Sequence, residues 1–224
     1  MMLTAALFDA QMAALPAAAS VQVADLSQDE SITAMAQRLL AAAPDRFAAI
    51  GLSMGGIVAL EVHRLAPQRI THLALLDTTP HADSPQRREL RNEQVEQAQR
   101  GQLRELLVES LKPLYLAQRS RGNQALLDRI VAMGLELGPA VFRRQSLALR
   151  DRQSYLDTLS TIRCPSLVLC GREDSLCPVD LHVDMAARIR GADLVALTDC
   201  GHLSTMEQPA AVTQALLLLL GRTS

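Results

Sequence analysis

The stretch Phe47-Ala-Ala-Ile-Gly-Leu-Ser-Met-Gly-Gly-Ile-Val-Ala-Leu60 decides the fold. Its first four residues, Phe47–Ile50, read as a short buried strand, and Met54 to Leu65 read as a helix that stops near Pro67. Between them stands Gly51-Leu-Ser53-Met-Gly55, a G-x-S-x-G pattern. The five residues alone say little. Placed between a strand and a helix, they describe a nucleophile elbow. The turn is so tight that the serine takes a strained backbone conformation. Side chains two residues before and after it are expected to collide, which calls for glycine at Gly51 and Gly55, while Gly56 relieves packing further. The Ser53 hydroxyl is then presented above a sheet edge, at the positive end of a helix. The Met54 amide points to where an oxyanion would form.

Outward from this turn, four more runs read as strands: Val21–Leu26, Ile70–Leu76, Ser166–Cys170 and Asp193–Leu197. The last three are apolar along most of their length, as expected when helices cover both faces of a parallel sheet. Helical patterns lie between them. Ser27-Gln-Asp-Glu30 has the form of a capping box and opens a helix to about Ala43. Asp180–Ile189 and Glu207–Leu220 are two more, the latter ended by Gly221. The alternation implies an α/β fold, a mostly parallel sheet with helices on both faces. From 84 to 161 only helix-forming sequence occurs, with Lys and Arg in excess over Asp and Glu. It is too long for a connection. It reads as a helical cap inserted over the C-terminal edge of the sheet, with 1–83 and 162–224 forming the core. Its extra arginines read first as a solvated helix face, second as a preference for anionic substrates.

Composition excludes several classes. The 224 residues are 49% hydrophobic and 21% charged, with a net charge of −2. There is no dense Lys/Arg run, and aromatics are scarce, so no nucleic-acid partner is expected. The apolar run Ala215–Leu220 is too short to span a membrane. The first twenty residues lack a basic start and carry Asp9 and Gln11, and they read as an amphipathic helix rather than a signal peptide. Cys164, Cys170, Cys177 and Cys200 form no C-x-x-C pair and lack a zinc-type histidine cluster. Four reduced thiols in a cytoplasmic protein, with no metal and no cofactor, is the plain expectation.

A serine hydroxyl needs a base. His63 and His72 lie within a helix and a strand, and His182 and His81 read as packed or surface residues. His202 follows the strand Asp193–Leu197 in a loop able to reach over the sheet. The carboxylate that holds the imidazole is expected at Asp174, just past Ser166–Cys170, with Glu173 and Asp77 as rivals. Asp77 otherwise ties down its own loop through Thr78 and Thr79. The order Ser53, Asp174, His202 follows.

With these residues in place, the sequence resembles the α/β-hydrolase superfamily, especially its small, capped bacterial esterase-like members. GLSMGG at 51–56, RITHLALLDTTP at 69–80, IRCPSLVLCGREDSLCP at 162–178 and DCGHLSTMEQP at 199–209 carry the likeness. The resemblance implies Ser53 as nucleophile, Asp174 as acid, His202 as base, Met54 as oxyanion donor, and a small-molecule ester as substrate. Self-association is left open. The family's front strands and the His-Gly or Pro-Gly turn that supplies a second oxyanion amide have no counterpart, and that missing strand would lie between 21–26 and 47–50. Expected causes are a start at an internal methionine of a longer sequence, a lineage without the strand, or a partner chain that supplies it. A non-catalytic relative, and lyases, C–C hydrolases or haloperoxidases on the same fold, are the alternatives.

Overall fold

Four parallel strands line up side by side in chain order: β1 (Phe47–Leu52), β2 (Ile70–Leu76), β3 (Ser166–Gly171) and β4 (Asp193–Leu197). They come from a computed structural model that describes residues 1–16, 19–111 and 114–223. Positions 17–18, in the N-terminal stretch, and 112–113, inside the segment 84–161, lie outside the described residues. The register brings the C-terminal ends of the strands to one rim: Leu52 opposes Leu76, Leu76 opposes Leu169, and Gly171 opposes Leu197. The residue that follows each strand therefore opens on the same edge.

The strands carry side chains to alternate faces. Leu73, Leu75 and Val168 pack on one side against α2 (Ile32–Ala42), α3 (Met54–Leu65) and α8 (Val179–Arg188). Ala74, Leu76, Leu167 and Leu169 pack on the other against α10 (Pro209–Leu220) and against Leu7, in the helical turn that leads into α1 (Asp9–Ala14). Leu73, Leu75, Leu76 and Leu169 are wholly buried, each stabilising the sheet by about 1.5–3 kcal/mol. This is why those runs are apolar without alternation. β4 departs from the expectation: Asp193 and Leu194 are exposed and the rest half-buried, because it stands at an edge.

Among the described residues, the segment between β2 and β3 is helical throughout its regular structure. It contains α4 (Pro85–Gln97), α5 (Leu103–Glu105) between two π-helical stretches, α6 (Gln124–Arg150) and α7 (Leu156–Leu159). At Gly138 (φ 76°) and Pro139 the regular helix of α6 is interrupted, which divides it into two rods.

Three sequence expectations need correction. Val21–Leu26 forms no strand: it is irregular, and residues 21–25 are exposed. An alternating pattern makes a strand only with a ladder partner, and β1 has β2 as its sole partner among the described residues. The capping box at Ser27 does not start a helix. Asp25 accepts from the Ser27 amide at 2.8 Å, which fixes a turn there, and Ser31 caps α2 by accepting from the Ala34 amide at 3.1 Å. The last helix begins with α9 (Ser204–Glu207) and restarts at Pro209, since Gln208, before the proline, leaves the helical region at φ −133° and ψ 58°.

Candidate active site

Ser53 follows β1 with φ 54° and ψ −117°, a left-handed conformation that a serine adopts only under constraint. The constraint is visible. The Ser53 amide donates to Leu76 O at 2.9 Å, and Ser53 O accepts from the Gly56 amide and from Thr78 Oγ1 at 2.7 Å. A Cβ on Gly51 would stand 2.2 Å from Gly55 O, so glycine is required there. A Cβ on Gly56 would stand 2.7 Å from Thr78. Gly55 contradicts its expectation: a Cβ there meets nothing within 4 Å. The tight contact is made by the Gly55 backbone, and its side-chain position faces open space. Met54 opens α3, where its amide has no helical acceptor and faces outward from the helix start.

The loop after β4 brings His202 to the same rim. His202 is buried, its amide donates to Tyr115 O at 2.8 Å, and its ring stacks on Tyr115 with centroids 5.8 Å apart. Nε2 lies 2.8 Å from Ser53 Oγ, and Nδ1 lies 2.8 Å from Asp174 Oδ2. With Nδ1–H donating to the carboxylate, Nε2 is left to accept from the serine hydroxyl. The other Asp174 oxygen accepts from the amides of Leu176 at 2.8 Å and Cys177 at 3.0 Å, which fixes the carboxylate. The fold thus joins Ser53, His202 and Asp174 in one hydrogen-bonded line.

Both rival carboxylates face elsewhere. Glu173 accepts from the Gln118 amide at 2.8 Å. Asp77, expected to tie down its own loop, reaches across strands instead: it accepts from the Gly171 amide at 3.0 Å and from the Ser204 hydroxyl. Burial, then the nearby Asp174 charge, push the Asp77 carboxyl well above its usual range.

A buried support went unread in the sequence. His182, on α8, accepts from the Thr78 amide at 3.1 Å through Nε2, with Nδ1 3.2 Å from Pro178 O. Thr78 in turn donates to Ser53 O. Burial lowers the His182 pKa and keeps the ring neutral. Glu207 is the second such residue. Its two oxygens accept from the amides of Gly201 at 2.8 Å and Ala117 at 2.9 Å, clamping the His202 loop to the segment carrying Tyr115. Nothing in the local pattern around either residue signals contacts about a hundred positions away.

Ligating atoms of Asp174, Cys177 and His202 lie within 4.8 Å of one another. Burial, then the Asp174 charge, drives the Cys177 thiol pKa up, which disfavours the thiolate a metal needs. The carboxylate and imidazole are already engaged with each other. All four cysteines are free. Among the described residues no helix is long and apolar enough to cross a membrane.

A model of the alpha/beta hydrolase family matches residues 12–215. The chain is 29% identical over 172 residues to the dihydrolipoyllysine-residue acetyltransferase component of the acetoin cleaving system of Pseudomonas putida, covering 76% of this chain and 44% of that protein. It is 29% identical over 189 residues to a 2-hydroxy-6-oxononadienedioate/2-hydroxy-6-oxononatrienedioate hydrolase of Cupriavidus pinatubonensis, covering 79% of this chain and 63% of that one. The chain thus spans less than two thirds of the length of these curated relatives. A thermophilic esterase from Thermogutta terrifontis, solved with malate bound, superposes with a TM-score of 0.86 at 28% identity, covering 97% of this chain and 85% of that one.

Proposed function

Because the chain belongs to the alpha/beta hydrolase family, we propose that it is a serine hydrolase that cleaves carboxylic esters of small molecules through an acyl-enzyme on Ser53. The observation that carries this reading is the line Ser53 Oγ, His202 Nε2, His202 Nδ1, Asp174 Oδ2, with 2.8 Å at each hydrogen bond. Ser53 Oγ attacks the ester carbonyl while His202 Nε2 takes its proton. His202 returns that proton to the leaving alcohol, and the acyl group stays on Ser53. A water then loses its proton to His202 and releases the acid. Asp174 keeps the ring in the correct tautomer and stabilises the imidazolium. The Met54 amide, at the positive end of α3, receives the oxyanion, a contribution of about 10²–10³ in kcat for one donor. No metal or cofactor enters these steps. The segment 84–161 acts as the cap, supplying Tyr115 against the base. The similarity to a thermophilic esterase favours an ester substrate.

The relative named as a 2-hydroxy-6-oxononadienedioate hydrolase supports a second reading, hydrolysis of a carbon–carbon bond by the same three residues. Turnover of 4-nitrophenyl acetate and labelling by a fluorophosphonate probe test the first. Both are expected in the wild type and absent in Ser53→Ala, with the melting temperature retained. Equal turnover in the two proteins would remove Ser53 from the reaction.

A further inference from the structure

The main chain of Leu114–Gln118, in the helical segment between β2 and β3, is pinned to both loops that carry His202 and Asp174. On the His202 side, Tyr115 O accepts from the His202 amide at 2.8 Å. Glu207 holds the Ala117 and Gly201 amides together at 2.9 Å and 2.8 Å. The approach is close: a Cβ on Gly201 would stand 2.6 Å from Ala117 N and 2.8 Å from Tyr115 O, so that position takes glycine. On the Asp174 side, Glu173 accepts from the Gln118 amide at 2.8 Å, and Leu114 O accepts from the Ser175 hydroxyl at 3.3 Å. To every one of these bonds the segment 114–118 contributes main-chain atoms. They fix where the segment runs and leave the choice of side chain at 115 open.

The Tyr115 side chain is buried, and its ring lies on the His202 imidazole with centroids 5.8 Å apart and planes 30° from parallel. Both imidazole nitrogens are committed, Nε2 to Ser53 Oγ and Nδ1 to Asp174 Oδ2. Rotation of the ring about its bond to Cβ breaks both hydrogen bonds at once, and that torsion is intrinsically broad. A ring stacked on the imidazole opposes the rotation. The same contact matters when His202 takes a proton from Ser53. The imidazolium then lies within the roughly 6 Å over which an aromatic face attracts a cation, at a buried site where that attraction is strongest. Burial lifts the Tyr115 phenol to about 12, so the hydroxyl keeps its proton and the ring offers only its π face.

We infer that Tyr115 is a positioning residue: its ring fixes the plane of the His202 imidazole between Ser53 and Asp174 and stabilises the imidazolium as it forms. The chemistry of this role rests on the ester-hydrolase reading, and the fixing of the plane does not. Tyr115 itself neither gives nor takes a proton.

Substitution at 115 leaves the main-chain bonds in place and so isolates the ring. Tyr115→Phe keeps the ring, while Tyr115→Leu and Tyr115→Met replace it by aliphatic groups that fill the space differently, so that failure of one to fold leaves the other to decide. With 4-nitrophenyl acetate, kcat is expected to fall about 3- to 30-fold in the Leu and Met variants and to be retained in Phe. KM should stay within about twofold, because the imidazolium forms in both acylation and deacylation and both are slowed. Wild-type kcat in Leu and Met, or an equal loss in Phe, overturns the proposal, and so does a raised KM at unchanged kcat, which makes Tyr115 a substrate contact. Nitrogen-15 NMR of the histidine rings, with His202 assigned by its loss in His202→Gln, needs no turnover. A single tautomer protonated at Nδ1 is expected in the wild type and Tyr115→Phe, and mixed tautomers in the Leu and Met variants. Should the wild type cleave no ester while this pattern holds, the hydrolase reading fails and the positioning role stands. One and the same tautomer in all four proteins overturns the positioning role whatever the turnover.

Discussion

Ser53 holds its hydroxyl over the rim only because its backbone sits at φ 54°, at a cost of about 1–3 kcal/mol. The close approach that enforces this is backbone on backbone, Gly51 against the Gly55 carbonyl. G-x-S-x-G therefore contains two glycines of unequal necessity. Gly51→Ala places a methyl 2.2 Å from Gly55 O, with no flexible side chain able to yield. It is expected to lose more than about 3 kcal/mol of stability, toward the severe end of single substitutions, together with activity. Gly55→Ala adds a methyl into open space on α3 and should stabilise by about 0.5–1 kcal/mol through helix propensity. Urea titration of the two variants checks the contrast, and similar midpoints for both would contradict it. The motif marked Ser53 in the sequence. It could not rank its glycines, because the colliding atom belongs to the following turn.

Helix α8 contributes one buried imidazole, and its titration is visible at the level of the element. His182 accepts from Thr78 and so must be neutral there. Its folded pKa is lowered from 6.5 by burial. The unfolded chain takes up a proton as the pH falls through about 6.5, while the folded one resists. The contribution to stability is thus complete above that pH and declines as the pH drops toward the lowered folded value. Melting temperatures at pH 7.5 and 5.5 should fall less in His182→Gln than in the wild type; equal falls would place a proton on the folded ring. The elements themselves were legible where burial on both faces wrote an apolar run, as in Ile70–Leu76 and Ser166–Cys170. They were not legible where pattern alone spoke. Val21–Leu26 reads like a strand, yet among the described residues no neighbour offers it a ladder, and Ser27 competes with Ser31 for a cap that an Asx turn at Asp25 decides. The three residues chosen for the chemistry follow strand ends, which register brings to one rim. Their supports, His182, Thr78, Ser204 and Glu207, depend on contacts between distant elements that no local signal encodes.

At the scale of the whole molecule, the helical segment between β2 and β3 is fastened to the sheet by buried polar contacts rather than by apolar packing alone. Glu207 ties Ala117 to the His202 loop, Gln145 on α6 accepts from the Met2 amide at 2.8 Å, and Asp83 gathers α4 and the turn just after α6 through Arg91 and Arg152. The Asp83 cluster is the most exposed to a single change. Asp83→Asn removes the only negative charge from between two buried guanidiniums and leaves both unpaired. The loss is expected to reach about 3–5 kcal/mol, as for breaking a buried ion pair on one side. For a chain of this size that corresponds to about 2–4 °C of melting temperature per kcal/mol. Because α4, α6 and loop 77–84 all depend on the cluster, the transition should remain single rather than split into a helical and a sheet component. Adding Arg91→Met to Asp83→Asn removes one stranded cation and should recover part of the loss, and this positive coupling distinguishes uncompensated charge from mere lost packing. A loss below about 1 kcal/mol in Asp83→Asn would mean that solvent screens the cluster as it does a surface pair, and that the segment is held by its apolar contacts.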